Sequence, residues 1–301
     1  MPNTGSPTLD QLRVFAAVCD SGSFSAAARS LNRAQSAVSY AVANLEEQLG
    51  LELFERGHRR PLLTEAGRAV LADARRVGRI VDELRARASG LTAGLEAEVG
   101  LVVDVMFPTA WLVSALEAFA QHFPTVSLRL RVEALGAVVQ LVLERSCVLG
   151  ISGPMGIRAE EVERRSLCHV ALIPVCAPCH VLAQLPPPVP PGAFLEQTQL
   201  VLTDRSKFTE GQDFGVLSAR SWRLGDLGAK LALLRAGLGW GNMPEDMVLE
   251  DLRDGRLVRL HSAAPPVPQF PLHLIHRADT PPGPAGKWLA EKFLAITAGE
   301  R

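Results

Sequence analysis

The sequence predicts an α+β chain in two parts, a small helical N-terminal unit and a larger C-terminal α/β region. Three observations predict it. Apolar residues up to position 50 recur at three- and four-residue spacing, residues 65–91 carry a long apolar seam, and from Val99 onward β-type runs alternate with helical stretches. A length of 301 residues suits one small and one or two larger cores. With 48% hydrophobic and 21% charged residues, the chain has enough apolar surface to fold and shows no disordered tail of any length.

Leu9, Leu12, Phe15 and Cys19 lie at helical spacing, and Gly22 followed by Ser23 supplies a stop and a new N-cap, so a first helix ends near Asp20. Phe24, Ala27, Ala28 and Leu31 make a short second helix whose small alanines permit close packing. After Asn32-Arg33-Ala34, a third helix buries Val38, Ala41, Val42, Leu45 and Leu49 and ends at Gly50. Opposite that stripe stand Gln35, Ser36, Ser39, Tyr40 and Asn44. Short polar groups on a helix of this kind can enter the major groove of double-stranded DNA and read base edges, as in a helix-turn-helix. Periodicity alone leaves a plain three-helix bundle with a solvated face equally open. Leu51-Glu52-Leu53-Phe54 and Leu62-Leu63 then flank Arg56-Gly57-His58-Arg59-Arg60-Pro61, a hairpin with a basic tip suited to phosphate or minor-groove contact.

The segment FAAVCDSGSFSAAARSLNRAQSAVSYAVANLEEQLGLELFERGHRRPLLTEAG resembles the DNA-binding segment of LysR-type transcriptional regulators almost end to end. The resemblance implies a winged helix-turn-helix over 1–64. Gln35, Ser36, Ser39 and Tyr40 would face the groove, Ser23 and Ser25 would approach the DNA backbone, and Arg56, Arg59 and Arg60 would belong to the wing. Arg33, Asn44 and His58 complete the candidate DNA contacts. Tyr40 stands where the family often has Arg, so base preference there leans on hydroxyl or apolar contact. Ala34 stands where Ser or Thr commonly caps the helix, which leaves the cap weaker by about 1 kcal/mol.

Thr64 is a good N-cap for a helix over 65–91. Val70, Ala74, Val77, Val81, Leu84, Ala88 and Leu91 alternate spacings of four and three, a heptad-like seam that asks for a partner helix. A helix packed on its own unit's core is the plainer alternative. The resemblance implies paired linker helices, hence a homodimer and a homotetramer.

In the remaining part, strands are expected at 99–105, 126–132, 147–152, 166–176, 199–203 and 271–276, and helices at 109–122, 134–144, 226–236, 244–252 and 284–297. The resemblance to LysR effector-binding regions covers 92–301 and implies two subdomains like those of periplasmic binding proteins. Subdomain I would hold about 92–162 and 243–301, and subdomain II about 163–242, with crossings near 160–165 and 238–243. In such folds a ligand sits at strand ends, where helix N-termini present free N–H groups. The corners here are Phe107-Pro108-Thr109 and Thr203-Asp204-Arg205-Ser206. Thr109 and Thr203 would donate hydrogen bonds, Arg205 would attract an acidic group, and Phe107 would cover an apolar face. Ser152, Asp204, Trp240 and Asn242 complete the expected effector set. Either corner could equally serve as a simple helix cap.

Several function classes find no support. No apolar run approaches the roughly 20 residues of a membrane-spanning helix, and MPNTGSPTLDQ lacks the character of a signal peptide, so a cytoplasmic protein without membrane association is expected. Gly237-Leu-Gly239-Trp-Gly241 follows a helix instead of leading from a strand into one, which argues against a dinucleotide site and for a tight hinge crossing. Cys176-Ala177-Pro178-Cys179-His180 matches a haem-attachment spacing that needs export; buried thiols are the default, with a redox pair or a metal site shared with Cys168 and His169 as the speculative alternative. No nucleophile-and-base set, cofactor motif or metal set appears. Residues 1–90 hold 12 basic and 10 acidic residues against 19 and 22 in the remainder, too mild an asymmetry to prove nucleic-acid binding by itself. The expected function is therefore regulation of transcription by a ligand-responsive homo-oligomer, with RNA polymerase as a possible partner. A solute-binding protein and an α/β enzyme are the competing readings.

Overall fold

The computed structural model describes residues 5–55, 60–154, 160–204, 206–209, 212, 214–261 and 269–299. The chain divides into two compact units, Met1–Gly90 and Leu91–Arg301.

In the N-terminal unit, helix α1 spans Leu9–Ser21, opened by a capping box between Thr8 and Gln11 and closed by Gly22 at φ 67°. Helix α2 covers Phe24–Ser30, with the Ser23 hydroxyl accepting from the Ala26 N–H at 3.1 Å. Helix α3 runs Gln35–Leu49, and Ala34 gives it no side-chain cap. The core is Val14, Phe15, Val18, Ala27, Ala28, Val38, Val42 and Leu45, closed by Leu53, Leu71 and Ala74.

The hairpin is reduced to one antiparallel bridge between Phe54 and Leu63 among the described residues. Its base is nevertheless fixed from three sides. Glu46 on α3 accepts from the Leu53 and Phe54 N–H groups at 2.7 and 3.2 Å. The Phe54 ring packs edge-on against Phe15 and Phe24, each at 5.5 Å. Helix α4, Glu65–Thr92, crosses so closely that a Cβ on Gly67 would lie 2.1 Å from the Leu53 carbonyl oxygen.

The seam expected along α4 from Val70 to Leu91 divides in two. Val70, Leu71 and Ala74 pack into the unit's own core, so this first stretch follows the plainer alternative. Beyond it Val77 and Val81 are half-buried, while Ile80, Leu84, Ala88 and Leu91 are exposed.

The C-terminal unit runs β1 (Glu98–Asp104), α5 (Thr109–His122), β2 (Ser127–Glu133), α6 (Gly136–Leu143), β3 (Leu149–Ser152), β4 (Val162–Cys176), α7 (Pro191–Glu196), β5 (Gln199–Leu202), β6 (Ser221–Leu224), α8 (Leu227–Arg235), β7 (Trp240–Pro244), α9 (Glu245–Arg253), β8 (Val258–Arg259), β9 (Gln269–Arg277) and α10 (Pro284–Ala298). Strand order is β2-β1-β3-β9-β4-β7-β5-β6, with β8 paired to β4. Parallel pairs β1 with β2 and β3, and β5 with β6 and β7, form two half-sheets. Antiparallel pairing through β4 and β9 joins them. Strands β3 and β5 are buried throughout and β1 from its second residue, which is why they read as unbroken apolar runs.

The crossings differ from expectation. Strand β4 pairs with β9 over Val162–Ala171 and with β7 from Leu172, so the chain changes half-sheet in mid-strand instead of near 160–165. The return does not fall at 238–243. There β7 lies between β4 and β5, and β8 still pairs with Val175 and Cys176; the first half-sheet resumes only with Gln269. The expected boundary of subdomain II at 242 is corrected accordingly. Close approach, not hinging, explains the glycines: a Cβ on Gly239 would stand 2.6 Å from the Thr198 carbonyl oxygen, and one on Gly241 2.7 Å from that of Leu200.

Candidate functional site

Two places bring candidate residues together. The first is the outer face of α3, where Gln35, Ser36, Ser39 and Tyr40 are exposed, Tyr40 to 72%. Asn44, one turn on, is half-buried. Ser23 is committed to capping α2, and Ser25 is half-buried beside it. Arg33 is already engaged: its guanidinium makes a two-pronged pair with Asp10 at 2.7 Å on each side, which holds the Asp10 carboxyl below its usual range. Arg60 is exposed at the foot of the hairpin, whereas Arg56, His58 and Arg59 lie outside the described residues.

The second place is a cleft of about 560 Å³ in the C-terminal unit, where the ends of β2, β5 and β6 converge. Glu133, Ala134 and Gln140 line one wall; Thr203, Asp204 and Asp226 line the other. The walls come closest at Gly136, where a Cβ would meet the Ser206 hydroxyl at 2.5 Å. Leu135, just before it, holds φ 51°, a strained value for a side-chain-bearing residue. A smaller cavity of about 160 Å³ lies among Met106, Leu135, Leu202, Phe214, Phe270 and Lys230, with Asn242 at its rim.

Two carboxylates matter here: Asp204, half-buried, lines the cleft, and Asp104, buried, lies beside Met106 of the smaller cavity. Asp104, the last residue of β1, accepts from the Met106 N–H at 2.9 Å through Oδ1. Burial pushes its carboxyl up to about 7, against the pull of the Met106, Leu135 and Gly153 N–H groups and with a further push from Asp204. No hydrogen bond among the described residues reaches its Oδ2. Asp204 accepts from the Thr209 hydroxyl through Oδ1, and its own buried Oδ2 is likewise without a hydrogen bond among the described residues. Lys230 is buried in α8 and donates to the Asn242 carbonyl at 2.7 Å; burial draws its ammonium down to about 8.

Other expected cleft residues are elsewhere. Phe107 is buried against Trp111 and Phe293, a core position under α10. Trp240 is buried against Phe194 and donates its indole N–H to the Phe194 carbonyl. Thr109 is exposed on the first turn of α5, and Ser152 is buried with its hydroxyl on the Gly153 carbonyl. None of these four lines either cavity. Arg205 lies outside the described residues. Asp104, Glu133, Asp226 and Lys230 were missed, although an acid closing an apolar strand, as in Val102-Val103-Asp104, is a readable signal. The thiol pair fares poorly: Cys176 is buried, which pushes its thiol up to about 12, and only Cys179 is exposed.

Residues 9–68 match the family model described as bacterial regulatory helix-turn-helix protein, lysR family, and residues 92–296 match the LysR substrate binding domain. The chain belongs to the LysR family. This LysR-type transcriptional regulator thus couples a DNA-binding helix-turn-helix to an effector-binding domain. It is 29% identical to the probable HTH-type transcriptional regulator YhaJ of Escherichia coli K12 over 252 residues, 83% of this chain and 84% of that protein. It is 30% identical to the HTH-type transcriptional regulator AceR of Acinetobacter baumannii over 249 residues, 80% of each chain. Full-length LysG of Corynebacterium glutamicum, solved with its effector Arg, shares the fold at TM-score 0.51 and 19% identity, covering 97% of this chain and 98% of that one. Among the described residues no helix is long and apolar enough to cross a membrane.

Proposed function

We propose that Gln35, Ser36, Ser39 and Tyr40 read base edges in a major groove, that wing residues including Arg56, Arg59 and Arg60 anchor phosphates, and that a small-molecule effector occupies the cleft between the half-sheets. The carrying observation is the meeting of strand ends from both half-sheets around one 560 Å³ cavity. Thr203 and Asp204 are the effector contacts retained from the sequence reading, and Asn242 lines the smaller cavity instead. The protein acts in the cytoplasm without catalysis, as a homodimer joined through the exposed stretch of α4. The effector acts by favouring one arrangement of the two half-sheets over another.

The test is a gel shift on the DNA upstream of the protein's own gene, with and without cell metabolites. A sequence-specific complex that Tyr40→Ala and Ser36→Ala weaken, and that a metabolite modulates, is the expected result. No complex on that DNA, or modulation undiminished by Thr203→Val, would count against the assignment. For the dimer, Leu84→Asp with Ile80→Asp should lower the mass in analytical ultracentrifugation; an unchanged mass would place the interface elsewhere.

A further inference from the structure

We infer that the cleft selects a positively charged organic molecule, an amine or a guanidine, and holds its cationic group at Asp204, with Glu133 and Asp226 along the walls and the buried Asp104 carboxylate nearby. The inference rests on the cleft being the effector site and names the chemical class that the site takes.

Three lining residues are acids from separate elements, namely Glu133 at the end of β2, Asp204 after β5 and Asp226 at the start of α8. Acids at a surface would be ordinary. Asp104 is different, being only 1% exposed and adjacent to Met106 and Leu135, which line the smaller cavity beside the cleft. It is paired in register with Glu133 across β1 and β2, and it faces Asp204 electrostatically. Each of these two aspartates keeps one buried oxygen with no hydrogen bond among the described residues. Buried acceptors left unmade are costly, and Asp204 adds to the cost of charging Asp104, so a donor carrying positive charge is favoured there.

A metal ion fits less well. No three His, Cys, Asp or Glu side chains among the described residues converge closely enough to hold one. One Asp226 oxygen is moreover committed to the Ala229 N–H. The acids are strung along a cleft of about 560 Å³, room for an extended organic cation.

The experiment is titration calorimetry on the full-length protein at pH 7, with a panel of alkyl diamines, polyamines, arginine and agmatine set against benzoate, citrate, magnesium and zinc. Cationic organic probes should bind, more weakly as salt rises. Asp204→Asn should weaken them roughly ten- to hundred-fold, the loss of one charge-assisted contact. Glu133→Gln, which removes no buried unpaired oxygen, should weaken them by less, and circular dichroism should show both variants folded. Binding should also release protons, read as a heat that differs between phosphate and Tris buffers, because a cation near Asp104 favours the ionised form of that buried carboxyl. Benzoate or citrate binding where amines do not would overturn the inference and leave the cleft as an effector site of opposite charge. Metal binding without amine binding, or amine affinity indifferent to Asp204→Asn, would overturn it as well. If no probe of any class bound and no metabolite altered operator binding in the gel shift, the cleft reading itself would fall.

Discussion

On α3 the polar groups proposed to read bases stand in solvent, with Tyr40 72% exposed, whereas in the C-terminal unit Asp104, Lys230 and Asp251 are each no more than 3% exposed. A surface that reads a duplex can be finished in advance, since its hydroxyls and amides lose little while solvated and exchange water for base edges on contact. A sensor gains from the opposite arrangement. Polar groups kept from water and left incompletely paired make the empty state less favourable, so a matching ligand produces a larger change. The C-terminal unit also shows what a completed buried charge looks like. Asp251 is clasped by Arg235 at 2.7 and 2.8 Å and by Arg256 at 2.5 Å, which holds its carboxyl low, while Asp104 has backbone N–H groups and no such cation.

The contrast can be broken most severely at its rigid side. Gly67→Val drives a side chain into the Leu53 carbonyl, which neither α4 nor the hairpin base can yield, and should cost the N-terminal unit about 3 kcal/mol or more. Calorimetry should show its transition falling while that of the C-terminal unit stays in place. Asp251→Ala, which leaves two half-exposed arginines facing a vacated site, should destabilise the C-terminal unit by about 2 kcal/mol in urea titrations.

The two buried acids should respond to pH in opposite senses. The Asp251 carboxyl is lowered by its arginines, so its contribution is present above the unfolded value near 3.8 and disappears as pH falls through the lower folded value. Asp104 is raised to about 7, so the folded state holds its proton longer than the unfolded chain, and stability should decline as pH climbs from about 4 to 7. Urea midpoints across that range should flatten in Asp104→Asn, and a slope unchanged by the substitution would contradict the burial argument. The smallest effects belong to the solvated face. Tyr40→Ala should blunt base discrimination by about 1–2 kcal/mol, while Arg60→Ala should weaken all sequences alike and reduce the salt slope by roughly one. Filter-binding at several salt concentrations on matched and mutated operators separates the two.

The N-terminal unit was readable almost residue by residue because its signals are local. Gly22, Ser23 and Gly50 mark helix ends within one turn, and Val38, Val42 and Leu45 identify the buried face of α3 without reference to anything distant. The cleft depended on which side of a sheet a residue faces after the strand ends, and spacing does not encode that. Phe107 and Asp104 are three residues apart, yet the ring turns into the core under α10 while the carboxylate is buried on the Met106 N–H and senses Asp204, so the aromatic drew attention that the acid should have had. Strands β6 and β7, Ser221–Leu224 and Trp240–Pro244, escaped notice because one is a half-exposed edge and the other carries glycine and proline. The glycines of 237–241 looked like a joint for the same reason. Gly237 holds φ 75°, and the need for Gly239 and Gly241 is set by the carbonyls of Thr198 and Leu200, about forty residues earlier in the chain.

Strand β4 serves both half-sheets in one run, Val162–Ala171 on β9, with a bulge between Ser166 and Cys168, and Leu172–Cys176 on β7. A ladder shared in this way behaves as a leaf spring. The cleft can open or close by bending a run of hydrogen bonds that stays intact, and elastic recoil restores the starting shape once the load is gone. Amides on either side of 171 should then exchange with deuterium on a common timescale, since neither half-sheet can fray along β4 without loosening the other. The same sharing makes the two halves poor candidates for separate expression, because giving β4 to either half strips a partner strand from β9 on one side or from β7 and β8 on the other.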